Sequence, residues 1–109
     1  MLHDLTALEQ GDAVRNGDVS PLELVEHYAG RADHVGAFIT TTHDLARDHA
    51  RRLTETGRPR DAGPLWGVPT GIKDLHPTAG VRTTFGSAAY DDFVPEQSDA
   101  LVLSVESAG

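Results

Sequence analysis

Gly63-Pro64-Leu65-Trp66-Gly67-Val68-Pro69-Thr70-Gly71-Ile72-Lys73-Asp74 is the stretch on which the fold of this chain turns. Gly63 to Gly67 reads as a loop, and Val68 to Ile72 as a strand candidate interrupted by Pro69 and Gly71. Proline withholds a ladder donor, so such a strand belongs at a sheet edge or is irregular. The stretch is not a phosphate loop. That loop needs four residues between its glycines and Lys followed by Ser or Thr, whereas Ile72 and Asp74 flank this lysine. Lys73 is the only lysine, and the other eight cations are arginines. Arg stays protonated in a protein, whereas a buried Lys can serve as a base. Adjacent strand residues point to opposite faces, so Lys73 and Asp74 are not expected simply to pair. The alternative is a structural lysine whose ammonium reaches a carboxylate.

The 109 residues amount to one small domain at most. Leu, Val, Ile and Phe supply about 23% of them, which allows a thin core. Seventeen acidic residues against nine basic ones give a formal charge of −8. That balance argues against nucleic acid or an anionic membrane as a direct partner, because both demand a basic footprint. Cysteine is absent, which removes disulfides, thiolate nucleophiles and Cys-ligated zinc. No apolar run approaches a membrane span, and Met1-Leu2-His3-Asp4 does not open a secretory signal, so a cytoplasmic location is expected.

Upstream, residues 1–56 read as three helices. Thr6-Ala7-Leu8-Glu9 spells a capping box, and Gly17 a left-handed stop. Ser20-Pro21-Leu22-Glu23 is a stronger start, since Pro21 falls where its missing N–H costs nothing. Leu24, Val25, Tyr28, Ala29 and Ala32 then line one face. Ala37-Phe38-Ile39-Thr40 reads as a short extended piece. A third helix is expected over roughly 43–56, with Leu45, Ala46, His49, Ala50 and Leu53 on one face and Gly57 as its stop. Its Asp44, Arg47, Asp48, Arg51 and Arg52 form a solvated face with weak ion pairs. The six histidines lack the i, i+4 zinc spacing, so neither metal nor cofactor is expected.

Downstream, residues 57–109 carry five of the six prolines and seven of the eleven glycines. A second strand candidate lies near 81–84, and Ser98 or Asp99 caps a last helix through Ala100, Leu101, Val102 and Val105. The words here follow in a set order: Ala79-Gly80-Val81-Arg82-Thr83-Thr84-Phe85-Gly86-Ser87, then Pro95, then Ser98-Asp99-Ala100-Leu101-Val102, then Glu106-Ser107-Ala108-Gly109. Together with 63–74 they closely resemble the start of the amidase signature family, over about half the chain.

The resemblance implies an α/β fold: N-terminal helices followed by the first strands of the family's mixed sheet, incomplete in this chain. Residues 1–109 are then the N-terminal fragment of an amidase domain, with 1–56 its helical lead-in and 57–109 the start of the signature core. It also implies a Ser–cis-Ser–Lys hydrolase of carboxamide C–N bonds, with Lys73 the catalytic lysine and a small-molecule amide as substrate. Neutrality of that amine requires burial, which lowers a lysine pKa from ~10.4, and Val68, Ile72 and Leu75 are the neighbours expected to supply it. Thr83, Thr84 and Ser87 would line the same region, although turn residues satisfying backbone explain them equally well. The Gly-Gly-Ser-Ser-type segment that carries the family's serines is not in the sequence. Homodimerisation of a full-length protein stays open. Two alternatives remain: the glutaminase subunit of a tRNA-dependent amidotransferase, and a non-catalytic helical module or relic. The chain by itself is expected to be inactive and poorly folded.

Overall fold

The capping signals decide where the helices begin. In the computed structural model, which describes residues 1–109, α1 spans Ala7–Arg15 and α2 spans Pro21–Ala29. Thr6 Oγ1 accepts the Glu9 N–H at 3.2 Å, and the Glu9 carboxylate returns the bond to the Thr6 N–H at 2.7 Å. Ser20 and Glu23 repeat the exchange at 3.1 and 2.6 Å, with Pro21 opening the helix. Each box satisfies two backbone donors that a helix start leaves orphaned. Gly17 takes the left-handed φ of 79° expected of it. A 3-10 turn, Leu2–Asp4, precedes α1.

The third helix, α3, runs His43–Thr56 and stops at Gly57, whose φ is 77°. It packs on α2. Ala50 is buried on its inner side, whereas Leu45, expected on that side, is 57% exposed. The charged face is less detached than the sequence suggests. Arg47 bonds Asp44 at 3.1 Å within the helix, but it also spans to both carboxylate oxygens of Glu26 on α2, at 2.6 and 3.2 Å. That two-pronged bond holds the Glu26 carboxyl below its ordinary range.

The last helix, α4, covers Ala100–Ser107. Asp99 caps it, its Oδ1 accepting the Val102 N–H at 3.0 Å. Val102 is fully buried, while Leu101 and Leu103 are exposed.

Contacts divide the chain into two compact units: Met1–Pro69 with Ala108–Gly109, and Thr70–Ser107. In the first, Val19, Leu24, Val25, Ala50 and Trp66 are buried. Gly11 lies so close to the 63–67 loop that a Cβ there would sit 1.9 Å from the Pro64 carbonyl oxygen.

The strands expected near 68–72 and 81–84 do not form, and the 37–40 segment, read as a short extended piece, is not part of a strand. The sheet side of the α/β reading is therefore not seen in these residues, and one antiparallel bridge, Thr78 to Val81, is all the pairing present. Around 81–84, tracing the backbone donors gives the reason. The Gly80 N–H bonds Pro95 O and the Thr83 N–H bonds Phe93 O, each at 3.0 Å. The Thr84 and Phe85 N–H groups turn to Asp74. Irregular loops and one side chain have taken the donors that a neighbouring strand would need, and an isolated two-stranded pair is marginal in any case.

Candidate functional site

Lys73 lies in the Thr70–Ser107 unit, just ahead of a turn in which its carbonyl accepts the His76 N–H at 3.0 Å. Its side chain is exposed and enters no ion pair, so the carboxylate-held structural lysine is not what forms. The expected burial is absent too. Ile72 and Leu75 are 38% and 52% exposed, because no sheet covers the segment.

What is fixed is the backbone beside Lys73. The Asp74 carboxylate accepts the Thr84 N–H at 2.8 Å through Oδ1 and the Thr84 hydroxyl through Oδ2. The Asp74 carbonyl accepts the Phe85 N–H at 3.0 Å. The Thr84 hydroxyl, then the Thr84 N–H, hold the Asp74 carboxyl below its ordinary range. On the far side, Thr84 Oγ1 accepts the Gly86 N–H at 3.2 Å. Phe85 between them has a φ of 54°, a left-handed conformation that side chains rarely adopt. Phe85 packs with Tyr90 and Phe93, ring centroids 5.2 and 6.0 Å away.

A second tie crosses the same unit. His76 Nδ1 donates to Asp99 Oδ2 at 2.8 Å, and the Asp99 N–H donates to Pro77 O at 3.0 Å. The Val102 N–H, more than His76, keeps the Asp99 carboxyl depressed.

The other hydroxyls serve the backbone. Thr83 Oγ1 donates to Val81 O and accepts the Thr78 N–H; Ser98 Oγ accepts the Ala79 N–H at 2.8 Å; Ser87 Oγ accepts the Ala89 N–H at 3.3 Å. Thr83 and Thr84 are nonetheless buried, and Thr84 bonds Asp74, the residue after the lysine. No three His, Asp or Glu side chains converge. His27 and His34, seven apart, do not share a helix; His27 bonds His3 at 2.9 Å instead. The sequence reading missed His3, Gln10, Gly11 and the Asp74–Thr84 pairing. Of these only Gly11 carries a local signal, since glycine inside a helix is unfavourable without a packing reason.

Residues 23–109 match the family described as Amidase, and the chain belongs to that family. It is 45% identical over 111 residues to a glutamyl-tRNA(Gln) amidotransferase subunit of Rhodospirillum rubrum, an alignment covering 99% of this chain and 22% of that protein. The proteins of the same name from Zymomonas mobilis and Syntrophus aciditrophicus are 37% and 33% identical, over 99% of this chain and 23% of theirs. The chain thus spans under a quarter of the length of the curated relatives it matches. No helix is long and apolar enough to cross a membrane.

Proposed function

We propose that this chain supplies the lysine-bearing part of the glutaminase subunit of a tRNA-dependent amidotransferase. Such a subunit would split a carboxamide C–N bond and deliver the ammonia to a partner. One observation carries the reading: the Rhodospirillum rubrum, Zymomonas mobilis and Syntrophus aciditrophicus relatives, each aligned over 99% of the chain, bear the name of the same glutamyl-tRNA(Gln) amidotransferase subunit. This favours the subunit over the stand-alone amidase that the sequence alone put first. The charge of −8 fits a part that does not itself grip the phosphate backbone of RNA, with any such contact made by other polypeptide.

Lys73 is the proposed base. A serine hydroxyl is too weak a nucleophile unaided, and a bridging serine can pass its proton to a neutral amine. The amine would return that proton to the departing ammonia. The unpaired side chain of Lys73 is free for this task, and exposed Ile72 and Leu75 offer apolar surface with which covering polypeptide could exclude water.

The test is a graft in which this chain replaces the matching segment of the Rhodospirillum rubrum relative. The graft should hydrolyse glutamine. Lys73→Ala should lower kcat by at least ~10²-fold, the low end for a positioned general base, and Lys73→Arg should not restore it. A folded but inactive graft, or near-normal turnover in either variant, overturns the reading.

A further inference from the structure

We infer that Asp74 is the positioning residue for Lys73, its carboxylate clamped onto Thr84 so that the backbone bearing the amine is held in one place. The inference rests on the proposed role of Lys73 as base. Three bonds join position 74 to positions 84 and 85: two to the carboxylate and one to the carbonyl. All come from residues ten and eleven places along, so they close a loop rather than stiffen a local turn. Lys73 itself is anchored only through its carbonyl, which accepts the His76 N–H.

The clamp is directional. Thr84 is buried, with 5% of its surface exposed, and offers Asp74 both of its donors. Its Oγ1 is held in turn by the Gly86 N–H, so the hydroxyl cannot rotate away without losing a second bond. Phe85 keeps its left-handed φ between these two anchored positions. Turnover depends on the amine returning to one point, and a fixed Cα removes the backbone's share of its drift, leaving only the side-chain rotamers to be selected. Asp74 touches neither the substrate nor the amine in this arrangement. It acts through the chain.

In the graft, the Thr84 and Phe85 amides should exchange slowly, and Asp74→Ala should speed both by at least tenfold. Unprotected amides in the parent graft, or protection unchanged by the substitution, would refute the clamp. In the graft, Asp74→Ala should lower kcat by 10- to 100-fold and leave KM within twofold. Asp74→Asn, which keeps one acceptor, should fall between it and the parent. Thr84→Ser, which keeps both donors, should restore at least half of the parental kcat, while Thr84→Val should not. If Lys73→Ala abolishes turnover but Asp74→Ala leaves kcat within twofold, the positioning role fails and the base assignment survives. If Lys73→Ala is active, the base assignment fails, and the exchange measurement alone decides whether Asp74 fixes this backbone.

Discussion

Gly11 shows how one missing methyl group sets a contact between elements. Glycine inside α1 forgoes about 0.5–1 kcal/mol of helix stability relative to alanine, so something must require it. An added Cβ would stand 1.9 Å from the Pro64 oxygen and 3.1 Å from its carbonyl carbon, both backbone atoms that cannot swing aside. Gly11→Ala should therefore lower stability by about 1–3 kcal/mol, the usual cost of overpacking, despite the better propensity. Gly30 is the matched control. It ends α2 at an ordinary φ of −66°, and a Cβ there would meet carbonyl oxygens no nearer than 3.6 Å. Gly30→Ala should be neutral or stabilising by up to ~1 kcal/mol, through the lower entropy of the unfolded chain. Urea melts of the two variants give the comparison, and a Gly11→Ala midpoint at or above the parent's would show that the helix and the 63–67 loop part at little cost. The same scale explains Gln10. Its buried side-chain NH2 shares two N–H groups among Leu2 O, Leu5 O and Tyr28 Oη, all within 3.2 Å, which ties the N-terminal 3-10 turn to α2.

At the scale of elements, the α2 cap is the best-defined joint. Replacing Ser20 by Ala removes the acceptor of the Glu23 N–H and leaves only the reciprocal bond, from the backbone N–H of residue 20 to the Glu23 carboxylate. The expected cost is about 1 kcal/mol. Ser20→Asp should retain most of the stability, since its carboxylate accepts the same N–H; equal melting of the Ala and Asp variants would mean the cap is idle. The cap was legible beforehand because every partner lies within four residues, as do Pro21 at the first helical position and the Gly17 and Gly57 stops. Strands at 68–72 and 81–84 were not legible in the same way. A strand exists only if another takes its donors; around 81–84 Asp74, Phe93 and Pro95 took them, and at the start of 68–72 the Val68 N–H turns back to Leu65 O. Lys73 stood out by being the one lysine, and the words around it fixed the family. Its exposure could not be read, because apolar neighbours predict burial only where something covers them. The Asp74–Thr84 pair, ten residues apart, and His3–His27, twenty-four apart, have no periodicity to betray them.

Across the whole molecule, acid should act in two stages, because its titrating contacts are of two kinds. His3 and His27 bond at 2.9 Å with ring centroids 5.1 Å apart and planes only 12° from parallel. A centroid separation that large beside so short a nitrogen contact places the rings side by side, one nitrogen donating and the other accepting, rather than face to face. Protonating His27 adds a charge where the surroundings oppose it. Desolvation, then the charge on His3, then that on Arg31 and the Met1 amine, lower the His27 pKa from 6.5; only Asp4 opposes them. Above 6.5 both folded and unfolded His27 are neutral and the contact contributes in full. As pH falls from 6.5 through the lowered folded value, the unfolded chain binds the extra proton and that contribution is lost. The carboxylates work lower down. Asp74 and Asp99 are depressed below 3.8, so their stabilisation is complete above that pH and disappears as pH falls through their folded values. Stability followed by urea midpoint should thus step down once as pH passes below 6.5 and again below 4.5, where the loss begins with Glu9 and Glu26 and continues below 3.8 with Asp74 and Asp99. His27→Gln should erase the first step and leave the second, whereas Asp74→Asn should shrink only the second. A parent chain whose midpoint is flat from pH 7 to 4.5 would show that the histidine contact contributes nothing.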